Sequence, residues 1–204
     1  MTIAAGTLLT AGFGVFLVGA TAWRMVYQQP LAESLPIVHS DRRRRIWIHV
    51  WMIGGVVITS AGVGALASSP LMAPAATPAV IGVVVYVLGA GCMLVSLTFG
   101  LTVVPWAAAS MVAHHQPPDV FPALAAWANA LYLVHMLASY AAFAILGIAL
   151  LLVPDVPTWL GWLGIGLGTV MTAGLTGTRF GGPFNPPILA HTFTATVGVV
   201  LLTL

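Results

Sequence analysis

Six apolar stretches run through this chain, each about as long as a helix needs to cross ~30 Å of hydrocarbon. They are residues 3–23, 46–68, 78–106, 121–153, 157–177 and 187–204, and none contains Lys, Arg, Asp or Glu. Prolines and glycines mark the breaks, in "SSPLMAPAATP", "HHQPPDVFP", "VPDVPT" and "RFGGPFNPP". A chain of 204 residues that is 60% hydrophobic and 5% charged cannot cover itself with polar groups in water. Soluble domains carry about 25% charged residues. Continuous apolar runs also exclude a transmembrane barrel, whose strands alternate over ~10 residues. The expectation is an all-α integral membrane protein, one six-transmembrane-helix bundle.

Two of the runs are longer than a crossing requires. The third closes on "VVPW". The fourth must tilt, kink or begin as an interfacial turn.

The arginines set the expected direction. Arg24 and Arg42 to Arg45 lie in the first loop and Arg179 in the fifth, while the second and fourth loops and both tails hold no basic residue. Cytoplasmic loops are enriched in Arg and Lys, so both termini are expected to face outward (N-out/C-out) in a bacterial-type cytoplasmic (inner) membrane. Trp23, Trp47 and Trp106 then anchor the inner interface, and Trp159 and Trp162 the outer one. "ATAW" at 20–23 imitates a signal-peptide cleavage site. No basic segment precedes it and Arg24 follows it, so it reads as the end of a first helix.

Composition removes several chemistries. The chain has no lysine, hence no Schiff-base attachment of retinal or PLP and no Walker A loop. Its single cysteine, Cys92, makes no intrachain disulfide. There is no GxSxG elbow. "GIGLG" at 164–168 lies inside an apolar run with no strand before it, so it is not a dinucleotide fingerprint. The net charge of +2 comes from one tight cluster and reports orientation, not a nucleic-acid surface. Small residues recur at helical spacing in two runs: Gly161, Gly164, Gly168, Thr172 and Thr176, and Gly89, Cys92, Ser96 and Gly100. Both stripes are expected to serve close helix packing.

Strongly polar groups inside hydrocarbon are costly and mark candidate sites. Three histidines qualify: His49, His135 and His191. His49 is four residues past Arg45 and His191 four past Pro187, each about 6 Å into its helix. His135 is fourteen residues past Phe121, about 21 Å along. The fourth run carries the richest polar face, with Asn129, Tyr132, His135, Ser139 and Tyr140 within about 140° of arc. His49, Thr59 and Ser60 share a face on the second run, and His191, Thr194 and Gly198 on the sixth.

Four readings follow. One is a ligand or transport site built on Asn129, Tyr132, His135 and Ser139. Another is a b-type haem held by His49 and His191 at matching depth, with Arg44 and Arg45 pairing its propionates. A third is a metal on His49, His135 and His191, with a surface alternative at His114, His115 and Asp119. The last is an accessory subunit of a membrane complex, or a homo-oligomer, whose Arg42 to Arg45 cluster meets anionic lipid at about 1 kcal/mol per arginine. "LAESLPIV" at 31–38 is expected to form a short amphipathic helix at the inner interface. A small molecule bound or moved by a His-containing polar site leads, and haem is the alternative.

Overall fold

The structure, a computed structural model, describes residues 1–180 and 187–204, without the side chains of Val26 and Gln28. Residues 181–186, most of the "RFGGPFNPP" turn, lie outside the described residues. The described residues contain no strand. Their α-helices are α1 (Thr2–Thr21), α2 (Leu31–Ser40), α3 (Arg42–Ala67), α4 (Ala76–His114), α5 (Phe121–Leu151), α6 (Thr158–Gly177) and α7 (Pro187–Thr203). Short 3-10 turns at Met25–Gln28 and Pro70–Ala75 precede α2 and α4.

Five helices, α1, α3, α4, α5 and α6, are long and apolar enough to cross a membrane. α7 is shorter, at 17 residues. Val80, Val84, Val87, Leu88 and Val95 leave an apolar face of α4 exposed along several turns. That face is what hydrocarbon, not water, would cover.

The bundle has two parts. α1 packs against both α3 and α7, α5 packs against both α4 and α6, and α3 against α4 joins the halves. Backbones meet closely because glycines stand at the crossings. On α1, Gly12 faces Thr59 of α3, Gly19 faces the Ile48 carbonyl, and Gly6 faces Gly198 and Leu202 of α7. Gly161, Gly164 and Gly168 bring α6 onto α5, as the α6 stripe predicts. The corresponding spacing on α1 escapes a reading that weighs only the third and fifth runs.

Two departures from the sequence reading shape the arginine end. α4 does not stop at residue 106; it continues through Pro105 to His114. At 39 residues it is about 58 Å long, well beyond a bilayer crossing. Proline removes one intrahelical hydrogen bond. Packing offsets the loss: Ala107 and Ala108 are buried with Leu35 and Val38 of α2 and Phe121 of α5. The amphipathic segment is indeed helical, and its Ser34, Leu35 and Val38 face inward at i, i+1, i+4 spacing. It docks on the end of α4 as well as bordering the bundle. The start of α5 belongs to the same small layer.

Candidate functional site

A cavity of about 950 Å³ lies at the arginine end, where the two halves of the bundle diverge. α1 contributes Phe16 and Ala20, and Trp23 and Tyr27 follow it. α3 contributes Arg45, His49 and Met52, and α4 the stretch around Ser96 and Gly100. α5 contributes Asn129 and Tyr132, and α7 its first residues, Pro187 and Ile188.

The four arginines do not act as one group. α3 starts at Arg42, so all four occupy its first turn. Arg42, Arg43 and Arg44 are exposed, whereas Arg45 is 6% exposed. Helical geometry separates them, because a 100° step per residue turns one member of four inward. The Arg45 guanidinium carbon lies 4.8 Å from the Tyr27 ring centroid and 5.5 Å from that of Trp23. Both distances are within cation–π range. Arg44 turns elsewhere: its Nε donates to the Ala22 carbonyl at 3.1 Å, fastening α3 to the end of α1. Of the two arginines expected beside a cofactor, Arg45 is in the cavity wall and Arg44 is not.

His49 stands one turn deeper than Arg45. Its Nδ1–H donates to the Arg45 carbonyl at 2.8 Å. In the neutral ring that leaves Nε2 as an acceptor. Nε2 is turned toward Gly100, where a Cβ would overlap it. Gly100 therefore makes room for an imidazole, which a packing-only reading of the α4 stripe misses. Gly89 of the same stripe is a packing residue, with Ala138 of α5 at its face. Trp23 completes the surround, its ring centroid 6.1 Å from that of His49. Sequence alone marks Trp23 as an interface anchor; the structure makes it a cavity wall.

The polar face of α5 divides. Asn129 and Tyr132 line the cavity. His135 and Ser139 are buried deeper, and Ser139 Oγ lies 3.3 Å from His135 Nδ1. His191 is 1% exposed and stacks on Phe16, centroids 3.8 Å apart. Neither its Nδ1 nor its Nε2 has a hydrogen-bond partner, and the same holds for His135 Nε2.

The structure thus brings Arg45, His49, Asn129 and Tyr132 to one cavity, with Phe16 between that cavity and His191. It does not gather the expected metal triad. Among the described residues no three His, Cys, Asp or Glu side chains group as ligands, neither at His49, His135 and His191 nor at His114, His115 and Asp119. The reason is geometric: the His49 ring is committed to α4, and the His191 ring to Phe16 of α1.

A polar latch borders the cavity at the arginine end. Asp41, just before α3, pairs with Arg24 and accepts a hydrogen bond from Tyr27 Oη at 3.0 Å. The Arg24 hydrogen bond, helped by the one from Tyr27, holds the Asp41 carboxyl below its ordinary range. Burial first, and then the Asp41 contact, pushes the Tyr27 phenol up, so it stays neutral. A depressed carboxyl contributes stability above its unfolded value of about 3.9, and that stability is lost as pH falls through the folded value. Acidification below about pH 4 is therefore expected to release Tyr27 and change the emission of its neighbour Trp23. Asp41→Asn should produce that change at neutral pH and abolish the acid step; an acid step that survives in this variant would assign it to another group.

No protein-family model, curated protein or solved structure matches this chain. What fold and geometry define is a class: an all-helical protein with five helices able to span a membrane and a large polar-ended cavity between its two halves.

Proposed function

We propose that this chain is a six-span, N-out/C-out protein of a bacterial-type cytoplasmic membrane that binds, or moves within the inner leaflet, a small molecule held in this cavity. The observation that carries the reading is the cavity itself: about 950 Å³, with apolar and aromatic walls and a few polar groups led by Arg45 and His49. Small-molecule sites are of this kind, about 300–1,000 Å³ and apolar with a few convergent polar groups. The exposed Arg42, Arg43 and Arg44 support contact with anionic lipid on the same side. α7, about 26 Å long, supports a sixth crossing of a slightly thinned bilayer.

Native mass spectrometry of the protein extracted from its own membranes tests the binding reading. A retained small-molecule adduct is expected in the wild type and not in Gly100→Leu, which fills the wall beside His49. Wild-type protein that emerges empty, and gains no thermal stability from a membrane extract, overturns it. Reporters at both termini test the topology; opposite sides would remove the six-span count.

A second reading is favoured by one observation, the unpartnered ring nitrogens of His191 beside a cavity walled by His49 and Arg45. A b-type haem on His49 and His191 would engage one ring nitrogen of each imidazole and place its propionates at Arg45. Phe16 would have to leave its stack on His191. That reading requires a Soret band that sharpens on dithionite reduction and disappears in His49→Ala. A flat visible spectrum after haem-replete expression eliminates it.

A further inference from the structure

Arg45 is a buried cation that the described protein leaves without a counter-ion. Guanidinium does not deprotonate in proteins, so its charge must be met where it stands. Asp41, one turn before it, is the nearest carboxylate in sequence. It is engaged by Arg24 and Tyr27. Arg45 Nε is buried and has no hydrogen-bond partner. Tyr27 and Trp23 stabilise the guanidinium through their ring faces and leave its net charge unchanged. Buried charges in proteins are paired.

Beside His49, Ser96, Asn129 and Tyr132, much of the remaining wall is apolar: Phe16, Met52, Met93, Leu97, Phe99 and Val104 all face the same space. A free inorganic anion would satisfy Arg45 and leave most of the cavity unfilled. A neutral apolar molecule would fill the space and leave the guanidinium unpaired.

We infer that the cavity ligand is an amphiphile with a carboxylate or phosphate head, that Arg45 receives this head, and that the apolar body lies along α4 between Met93 and Val104. The inference rests on the binding reading above and adds the chemical class of the ligand. The planar guanidinium fork suits both head groups, which offer two oxygens in one plane. Its aromatic neighbours fix its orientation, so little side-chain freedom is lost on binding. His49 and Asn129 line the same cavity as Arg45.

The test uses the full chain in nanodiscs of neutral phosphatidylcholine, titrated with laurate, dodecyl phosphate, dodecanol and inorganic phosphate. Emission of Trp23, isolated by subtracting the Trp23→Phe variant, reports binding, and thermal stability gives a second readout. Laurate or dodecyl phosphate is expected to bind about tenfold or more tighter than dodecanol, because a charge-assisted bond to a buried cation is at stake. Arg45→Met should remove that preference, and Arg45→Lys should restore part of it. Should Arg45→Met fail to fold, the head-group series on the wild type still decides the matter. Equal binding of dodecanol and laurate overturns the charge selection and leaves the cavity reading standing. Inorganic phosphate binding as tightly as dodecyl phosphate overturns the amphiphile. Displacement of bound laurate by added phosphatidylglycerol identifies a bilayer lipid as the source of the same chemistry. Absence of binding by every probe overturns both readings together.

Discussion

Gly168→Ala is expected to destabilise the bundle by about 1–3 kcal/mol, although alanine is the better helix former. A Cβ at residue 168 would overlap the Tyr140 carbonyl oxygen and lie 2.7 Å from the Ala144 nitrogen. Both are backbone atoms of α5, so no side chain can swing aside; α5 and α6 must separate. Separation also loosens Gly161 and Gly164, which rest on the Gly147 and Phe143 carbonyls. Close backbone approach is what holds helices together where lipid supplies no hydrophobic drive. Gly166 is the internal control. It lies on the same helix, two residues away, and a Cβ there meets nothing within 4 Å. Gly166→Ala should be neutral, or gain up to about 1 kcal/mol from helix propensity. Unfolding in a denaturing detergent series measures both. Equal effects from the two substitutions would mean that α6 does not pack as described.

Gly100→Leu is expected to abolish small-molecule binding with little loss of stability. A Cβ at residue 100 would overlap His49 Nε2 and lie 2.6 Å from its Cδ2. Here the obstacle is the end of a side chain, not backbone, so the imidazole can move. It is tethered at Nδ1 to the Arg45 carbonyl, and the way open to it is into the cavity. The displaced ring and the added leucine then occupy the space the ligand needs. An overpacking cost of about 1–3 kcal/mol on the bound state corresponds to about a 5- to 150-fold loss of affinity. Gly91→Leu is the matched control, since nothing lies within 4 Å of its Cβ position. Native mass spectrometry and melting temperature, measured on both variants, separate blocked binding from misfolding. Unimpaired adduct retention in Gly100→Leu would place the ligand elsewhere.

Much of the helical layout is legible in the chain itself. The stretch read as 121–153 is the helix Phe121–Leu151, and that read as 157–177 is Thr158–Gly177. Apolar length and Pro-Gly breaks decide these, because a backbone in hydrocarbon must satisfy its own hydrogen bonds. The end of α4 is not legible in this way. Pro105 and Trp106 look like a terminus, and the helix continues because Ala107 and Ala108 find partners in α2 and α5.

The site was legible in part. His49, Asn129 and Tyr132 are named by the cost of polarity within an apolar run and Arg45 by its place just before one, and the structure places all four at the cavity. His135 and Ser139 belong to the same sequence face, yet they are buried and lie outside the cavity lining. Phe16 and Gly100 carry no signal of their own; an apolar ring and a glycine in apolar runs look like packing.

The sequence by itself determined that this is a helical chain made for hydrocarbon and where most of its helices run. These follow from local composition, and a bilayer reads composition directly. Tertiary structure alone decided which of four consecutive arginines faces inward, which histidine meets open space, and where the two halves part to leave a cavity. Those depend on which helix faces which, and pairwise close approach at single glycines sets that, not any property a residue carries alone.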